Sequence, residues 1–259
     1  MSSPLKLRER IRSNLIFIGE LHILLMQTIH CTFTRPFYWR RVNEQIIDIG
    51  VGSLSITMVI GFTMGLVMTL QFGYGLAKFG GTLYVPAIVT LSILREMAPI
   101  FVSLLIAGRV GSGIAAEVGA MNVTQQIDAI RALGTNPIRI LVVPRFVAAM
   151  VSIPLLTILA GFLGIIGGMI IASLEFDISP GFYISKVLST TGLVALFSGY
   201  IKCFFFASVI TILACWRGFQ TKEGTRGVGE AATWVVVRSS IVILVSDFFL
   251  SKLLILIFE

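Results

Sequence analysis

Residues 138–172 read IRILVVPRFVAAMVSIPLLTILAGFLGIIGGMIIA, an apolar run whose two charges, Arg139 and Arg145, lie near its start. Inside hydrocarbon no water is present to satisfy backbone N–H and C=O groups, so such a run is stable there only as a helix, and about 20 apolar residues suffice to cross. The same reading applies to 46–76, 84–116, 187–216 and 235–258. No soluble domain fits between these runs, and the sequence predicts an all-α membrane protein with five transmembrane helices. Composition agrees. Of 259 residues, 56% are hydrophobic and 13% charged, with a mean hydropathy of +0.95, too apolar for a water-soluble core and surface to share.

The first three spans exceed what a vertical helix requires, so they must tilt, break or project from the bilayer. Gly61 and Gly65 are four apart, as are Gly164 and Gly168, a spacing that permits close backbone approach. Ordinary tight packing is the plainer reading of the same glycines. Pro99 lies inside the second span, where it removes a helical hydrogen bond and predicts a kink or break near 95–99.

A formal net charge of +7 would attract nucleic acid to a soluble domain. Here the basic residues flank apolar runs, where they meet anionic headgroups and hold topology, so no nucleic-acid partner is expected. With the N terminus inside, the inner flanks carry Arg35, Arg40, Arg41, Arg131, Arg139, Arg145, Arg217, Lys222 and Arg226, against Lys78, Lys186 and Lys252 outside. Five spans then place Glu259 on the far side.

Residues 1–40 read as a separate N-terminal unit. Leu7, Ile11, Leu15, Ile18, Leu21, Leu25 and Ile29 make an apolar stripe interrupted by Glu20, His22 and Gln27. That pattern predicts an amphipathic interfacial helix on the inner surface, ended by Pro36. The rival reading, a sixth spanning helix, must carry Glu20 at mid-depth, where a carboxylate is costly. The basic start, Lys6 to Arg10, imitates a signal peptide, yet no small-x-small cleavage site follows, so it is read as retained. Residues 41–259 then form the transmembrane domain. His22 and His30 lack local partners for a metal, and Cys31, Cys203 and Cys215 are too scattered for a zinc set or a disulfide framework.

Between spans two and three stands EVGAMNVTQQIDAIRALG, residues 117–134. It reads as a short cytoplasmic helix over about 122–134, with Asn122 as cap, Gln125 reaching back, Gly134 at the left-handed C-terminal position and Pro137 preventing continuation. Roughly eleven helical residues cannot cross a bilayer. Ile127, Ile130 and Leu133 are assigned to one apolar face and Gln126, Asp128 and Arg131 elsewhere, with Glu117 at the approach. Such a helix suits a membrane protein driven by a separate motor, although a plain amphipathic connector would show the same periodicity.

Ionisable groups in hydrocarbon usually face a cavity or one another. Arg95, Glu96, Lys202 and Asp247 qualify, and counting along the helices lets them meet at similar depth. A cation there can attract a phosphate headgroup. A paired network that only fixes helix register, or a proton relay through Glu96 and Asp247, are the other readings. The chain contains no G-x-x-x-x-G-K-[ST] phosphate loop, and Gly108-Arg109-Val110-Gly111-Ser112-Gly113 follows an apolar helix, not a strand, so nucleotide binding has no motif here. Nothing places a nucleophile beside a base.

Leu94-Arg95-Glu96-Met97-Ala98-Pro99, Ala107-Gly108-Arg109-Val110-Gly111-Ser112, Ala116-Glu117-Val118-Gly119-Ala120-Met121, and Asn136-Pro137 followed by Pro144-Arg145-Phe146 together resemble the MlaE-type permease family, the membrane component of ABC systems that work with mammalian-cell-entry (MCE) domain proteins. The similarity covers nearly the whole chain, including Gln71, Lys202 and Asp247. It implies an interfacial N-terminal helix, five spans and a homodimer, each protomer docked through its short coupling helix onto an ABC ATPase subunit that binds ATP and magnesium, with no cofactor in this chain. It further implies an outward-opening phospholipid cavity at Met68, Leu76, Phe79, Arg95, Glu96 and Lys202, with Phe79 standing where a relative has tyrosine. An MCE-domain ring on the outer face, in some systems a STAS-domain protein on the ATPase, and a location in the cell inner membrane or the plastid inner envelope complete the expectation. An ion-coupled secondary transporter using Glu96 and Asp247 is the rival from another class, and a non-transporting membrane scaffold is a third; the first should show internal repeat symmetry, and none is evident across the five spans.

Overall fold

The computed structural model describes residues 4–222 and 224–258, with side chains for 12–13, 15–192, 196–222 and 224–258. The side chains of the basic start, of Leu7 and of Ile11, and all of Glu259, lie outside what is described. The described chain is built of helices: α1 (Pro4–Phe33), α2 (Trp39–Ile49), α3 (Leu54–Ala77), α4 (Val85–Ser92), α5 (Ala98–Ile106), α6 (Ser112–Val123), α7 (Gln126–Ala132), α8 (Val143–Phe176), α9 (Pro180–Thr190), α10 (Leu193–Phe219) and α11 (Gly224–Phe258). Single π-helical turns at Ile93–Met97 and Ala107–Gly111 join α4, α5 and α6 into one long segmented rod, and a third at Ile138–Val142 leads into α8.

Six stretches are long and apolar enough to cross a membrane: Leu15–Phe33, Trp39–Ala77, Thr82–Val123, Ile138–Phe176, Leu196–Phe219 and Gly224–Phe258. The first qualifies by composition, but its contacts place it differently. Glu20 of α1 accepts from Trp216 Nε1 at 3.0 Å and Gln220 Nε2 at 3.1 Å, at the inner end of α10. Thr34 Oγ1 and the Arg35 carbonyl, just past α1, each accept from Arg139 at 2.9 Å, at the inner end of the third span. Positions 20 and 34 are about 21 Å apart along a helix, yet both meet inner ends of spans. Helix α1 therefore lies across the inner side of the bundle, and Glu20 avoids mid-depth.

Among the described residues the seam between α3 and α8 is the most extensive helix pairing. A Cβ on Gly61 would stand 2.6 Å from the Ala160 backbone, and one on Gly65 would overlap the Gly164 carbonyl. Close approach is thus required at these positions, and bare backbone supplies the contact. Around this seam Val89, Ile93, Val102, Ile106, Ile153 and Phe206 form the main apolar core, while a second core at the inner end gathers Ile114, Val118, Ile127, Val142 and Cys215.

Several boundaries differ from the sequence reading. Span four does not begin at 187: Pro180 and the Ser179 cap, whose Oγ accepts from Phe182 N at 3.3 Å, start the separate outer helix α9, and α10 begins at Leu193 after Gly192. Span two does not stop at 116 but continues as α6 to Val123. Residues 122–125 consequently belong to the end of that rod and its turn, not to the coupling helix. Asn122 caps nothing; its Nδ2 donates to the Thr221 carbonyl at 2.9 Å. Gln125 sits in the left-handed region at φ 59°, and the short helix α7 that follows has only seven residues and no side-chain cap. Gly134 does take the left-handed conformation, at φ 72°.

Candidate functional site

Pro99 has no N–H to offer the carbonyl of Arg95 four residues back. The rod responds with the wide turn Ile93–Met97, and the Arg95 carbonyl accepts from Lys202 Nζ at 3.2 Å. Lys202, on α10, is 1% exposed, and a buried ammonium must satisfy three donors. It finds Glu96 Oε2 at 2.5 Å, Ser251 Oγ at 2.6 Å and Asp247 Oδ1 at 3.1 Å. Ser251 Oγ also stands 3.0 Å from Glu96 Oε2 and 2.8 Å from the Asp247 carbonyl, so its own proton is shared between them.

Spans two, four and five are therefore locked at one depth by a cation between two carboxylates. Removing one member of a buried pair typically costs about 3–5 kcal/mol, because the other charge is left uncompensated. Glu96 is not sealed in: its side chain keeps 33% exposure, and the cluster thus has a face that a ligand can reach.

The expected meeting of Glu96, Lys202 and Asp247 occurs, with Arg95 joining through its backbone carbonyl. The other cavity candidates are spread differently. Met68 and Leu76 are partly buried against the main core, whereas Phe79, just beyond α3, is 86% exposed. None of these three is among the polar partners of Lys202.

The inner end carries a second polar system. Glu117 pairs with Arg145 at 2.7 Å, and Arg145 also donates to the Leu141 carbonyl at 2.8 Å. Arg145 is only 4% exposed; it is an internal brace between α6 and α8, not the headgroup-facing flank that the sequence suggested. On α7, Ile127 is fully buried in the inner core, Ile130 is half-buried and Leu133 is 81% exposed. The three do not share a face, because six residues advance a helix by about 600°, which turns Leu133 some 120° away from Ile127. Gln126, Asp128 and Arg131 are exposed, and Arg131 pairs with Asp128 at 2.9 Å.

Two contributors escaped the sequence reading. Ser251 is four residues after Asp247 and so shares its helix face, a signal that was present. Arg109 donates to Ser53 Oγ at 2.7 Å and to the Asp48 carbonyl at 3.3 Å, tying the second π turn to the junction of α2 and α3. Its neighbour Gly52 makes room: a Cβ there would stand 2.7 Å from the guanidinium. No local pattern announces that pairing. Among the described residues no group of three or more His, Cys, Asp or Glu is placed to hold a metal.

The family model described as Permease MlaE matches residues 42–253. A probable ABC transporter permease protein of Rickettsia bellii is 34% identical over 236 residues, covering 91% of each chain. A probable ABC transporter permease protein of Synechocystis is 39% identical over 215 residues, covering 83% of this chain and 82% of its own. The intermembrane phospholipid transport system permease protein MlaE of Haemophilus influenzae is 34% identical over 212 residues, covering 82% and 81%.

Proposed function

The chain belongs to the MlaE family of ABC transporter permeases, and from that premise we propose that it moves phospholipid between the inner membrane and a periplasmic MCE-domain carrier, supporting outer-membrane lipid asymmetry. As a family member it is a multi-pass inner-membrane transport subunit that works with an ATPase partner. The homodimer, the MCE ring, a STAS-domain subunit, and ATP and magnesium bound by the partner belong to the proposal.

The observation that carries the reading is the half-open cluster at Glu96. A buried lysine, two carboxylates and a freed carbonyl form a polar floor inside an apolar bundle, which suits a headgroup while apolar walls take acyl chains. In the proposed assembly two copies face each other, and Met68, Leu76 and Phe79 of each approach the cavity from the outer half. Closure of the partner ATPases pushes on α7. Buried Ile127 roots α7 in the inner core, and α6 continues it into the segmented rod that carries Arg95 and Glu96 at its other joint. The coupling candidates Gln126, Asp128, Ile130, Arg131 and Leu133 lie along this lever, and Glu117, braced by Arg145, stiffens its base.

The test is the phospholipid that copurifies with the permease in Arg95→Ala, Glu96→Ala and Lys202→Ala at matched expression. Loading should fall in these variants, most in those that change the Glu96 face. Wild-type loading in all three would remove the cluster from the lipid site. Copurification also separates the classes, since an ABC permease comes down with its ATPase and a secondary carrier comes alone.

A further inference from the structure

A long apolar groove runs between α10 and α11, with α1 walling its inner part. It consists of two contiguous hollows of about 330 Å³ and 410 Å³ that share Phe205, Ile241 and Val242. On α11 the groove extends from Arg238 to Leu253, about 22 Å at helical rise, more than the roughly 15 Å that one leaflet contributes to a hydrocarbon core of about 30 Å, so it has room for a full acyl chain. Its two serines have no free proton for an anion: Ser208 donates to the Phe205 carbonyl at 2.6 Å and Ser246 to the Val242 carbonyl at 2.5 Å. The polarity that remains is at the inner end, where Arg238 and His22 line the wall.

Arg238 is exposed, on a helix long and apolar enough to cross a membrane. Its guanidinium lies 5.6 Å from the Trp234 ring, with Arg217 at 5.5 Å from the same ring. Among the described residues Arg238 has no hydrogen-bond or ion-pair partner. The nearby carboxylate, Glu20, is held by Trp216 and Gln220. Phe17, Trp216 and Trp234 stack into an aromatic cluster beside it, 4.8 Å and 5.5 Å between successive ring centroids, as residues at a membrane interface do.

We propose that this groove binds one inner-leaflet phospholipid with an anionic headgroup, its phosphate between Arg238 and His22 and an acyl chain along Phe205, Ile241 and Phe249. The groove is apolar over a length that more than covers one leaflet and carries Arg238 at the end where the inner leaflet's headgroups lie, which is the polarity of such a lipid. A membrane-crossing helix fits less well. Phe17, Ile18, Leu21, His22 and Leu25 of α1 already wall the inner hollow, so a helix about 10 Å across with its side chains has less room there than an acyl chain. This site is separate from the Lys202 cluster and does not depend on the transport reading.

The experiment uses the full chain with Trp39→Phe, which leaves Trp216 and Trp234 of the three tryptophans as reporters flanking the groove. In phosphatidylcholine bilayers, tryptophan quenching by acyl-brominated phosphatidylglycerol is compared with quenching by brominated phosphatidylcholine to give a relative association constant. The site calls for a preference of about fivefold for the anionic lipid, what one well-placed basic residue supplies at a membrane surface. Arg238→Gln should bring the ratio to about one and Arg238→Glu below one, while Arg238→Lys keeps most of it. Arg226→Gln, a flank arginine paired with Glu230 at 3.1 Å, should leave it unchanged. A wild-type ratio near one, or a preference retained in Arg238→Gln, overturns the proposal. So does weak quenching by both lipids that rises as the protein is diluted in the bilayer, the mark of a second copy in the groove.

Discussion

Lys202 is the residue on which three spans agree. Its ammonium is held by Glu96, Asp247, Ser251 and the carbonyl that Pro99 leaves free. Lys202→Met should lower stability by about 3–5 kcal/mol, because two carboxylates lose their counter-charge, read as a drop in the detergent melting temperature. Adding Glu96→Gln and Asp247→Asn to it should recover most of that loss, since the buried charges are then gone. If the cluster also holds lipid, the stable triple variant will still load poorly. Full recovery of both properties would reduce the cluster to a register pin. The four charged residues were legible as intramembrane ionisables, but the Arg95 contact was not, because it runs through a backbone carbonyl that a proline about four turns into a span happens to liberate.

At the scale of elements, α7 divides its apolar residues between two tasks. Ile127 is buried in the inner core while Leu133 is exposed. Ile127→Asp should therefore destabilise the permease itself, by several kcal/mol for an unpaired buried carboxylate. Leu133→Asp should leave the melting temperature within error and reduce ATPase copurification severalfold. Equal thermal loss in both would mean that α7 is only a connector. The sequence located this helix by Gly134 and Pro137, which the structure follows, but misplaced its start, since the rod of span two stays helical through Val123 and Asn122 bonds to Thr221 instead of capping. Caps read from sequence assume that the preceding segment is not already a helix. For α1, the charge of Glu20 was the correct guide to its placement, more so than overall apolarity, because Trp216 and Gln220 satisfy that carboxylate at the inner ends of the spans.

The whole molecule rests on a spine of α3 against α8, where glycines let backbones touch. Gly65→Leu has no free volume at the Gly164 carbonyl and should cost at least about 1–3 kcal/mol by overpacking, visible as a lowered melting temperature or lost expression; an unchanged protein would show that the seam can part. The spacing of Gly61, Gly65, Gly164 and Gly168 pointed to this seam, yet it could not say which helices pair, since close-approach motifs name a face and not its partner. Around that spine the segmented rod of α4, α5 and α6 connects the inner lever to the polar floor, and two copies of it would close the proposed cavity.

The most direct measurement is ATP-dependent transfer of a labelled phospholipid between proteoliposomes containing this permease with its ATPase and an MCE-domain acceptor. The account requires transfer by the intact chain and its loss when residues 126–133 are replaced by a glycine-serine tether of equal length, with the spans still folded. Transfer that persists through the tether, or that proceeds without the ATPase, would contradict it.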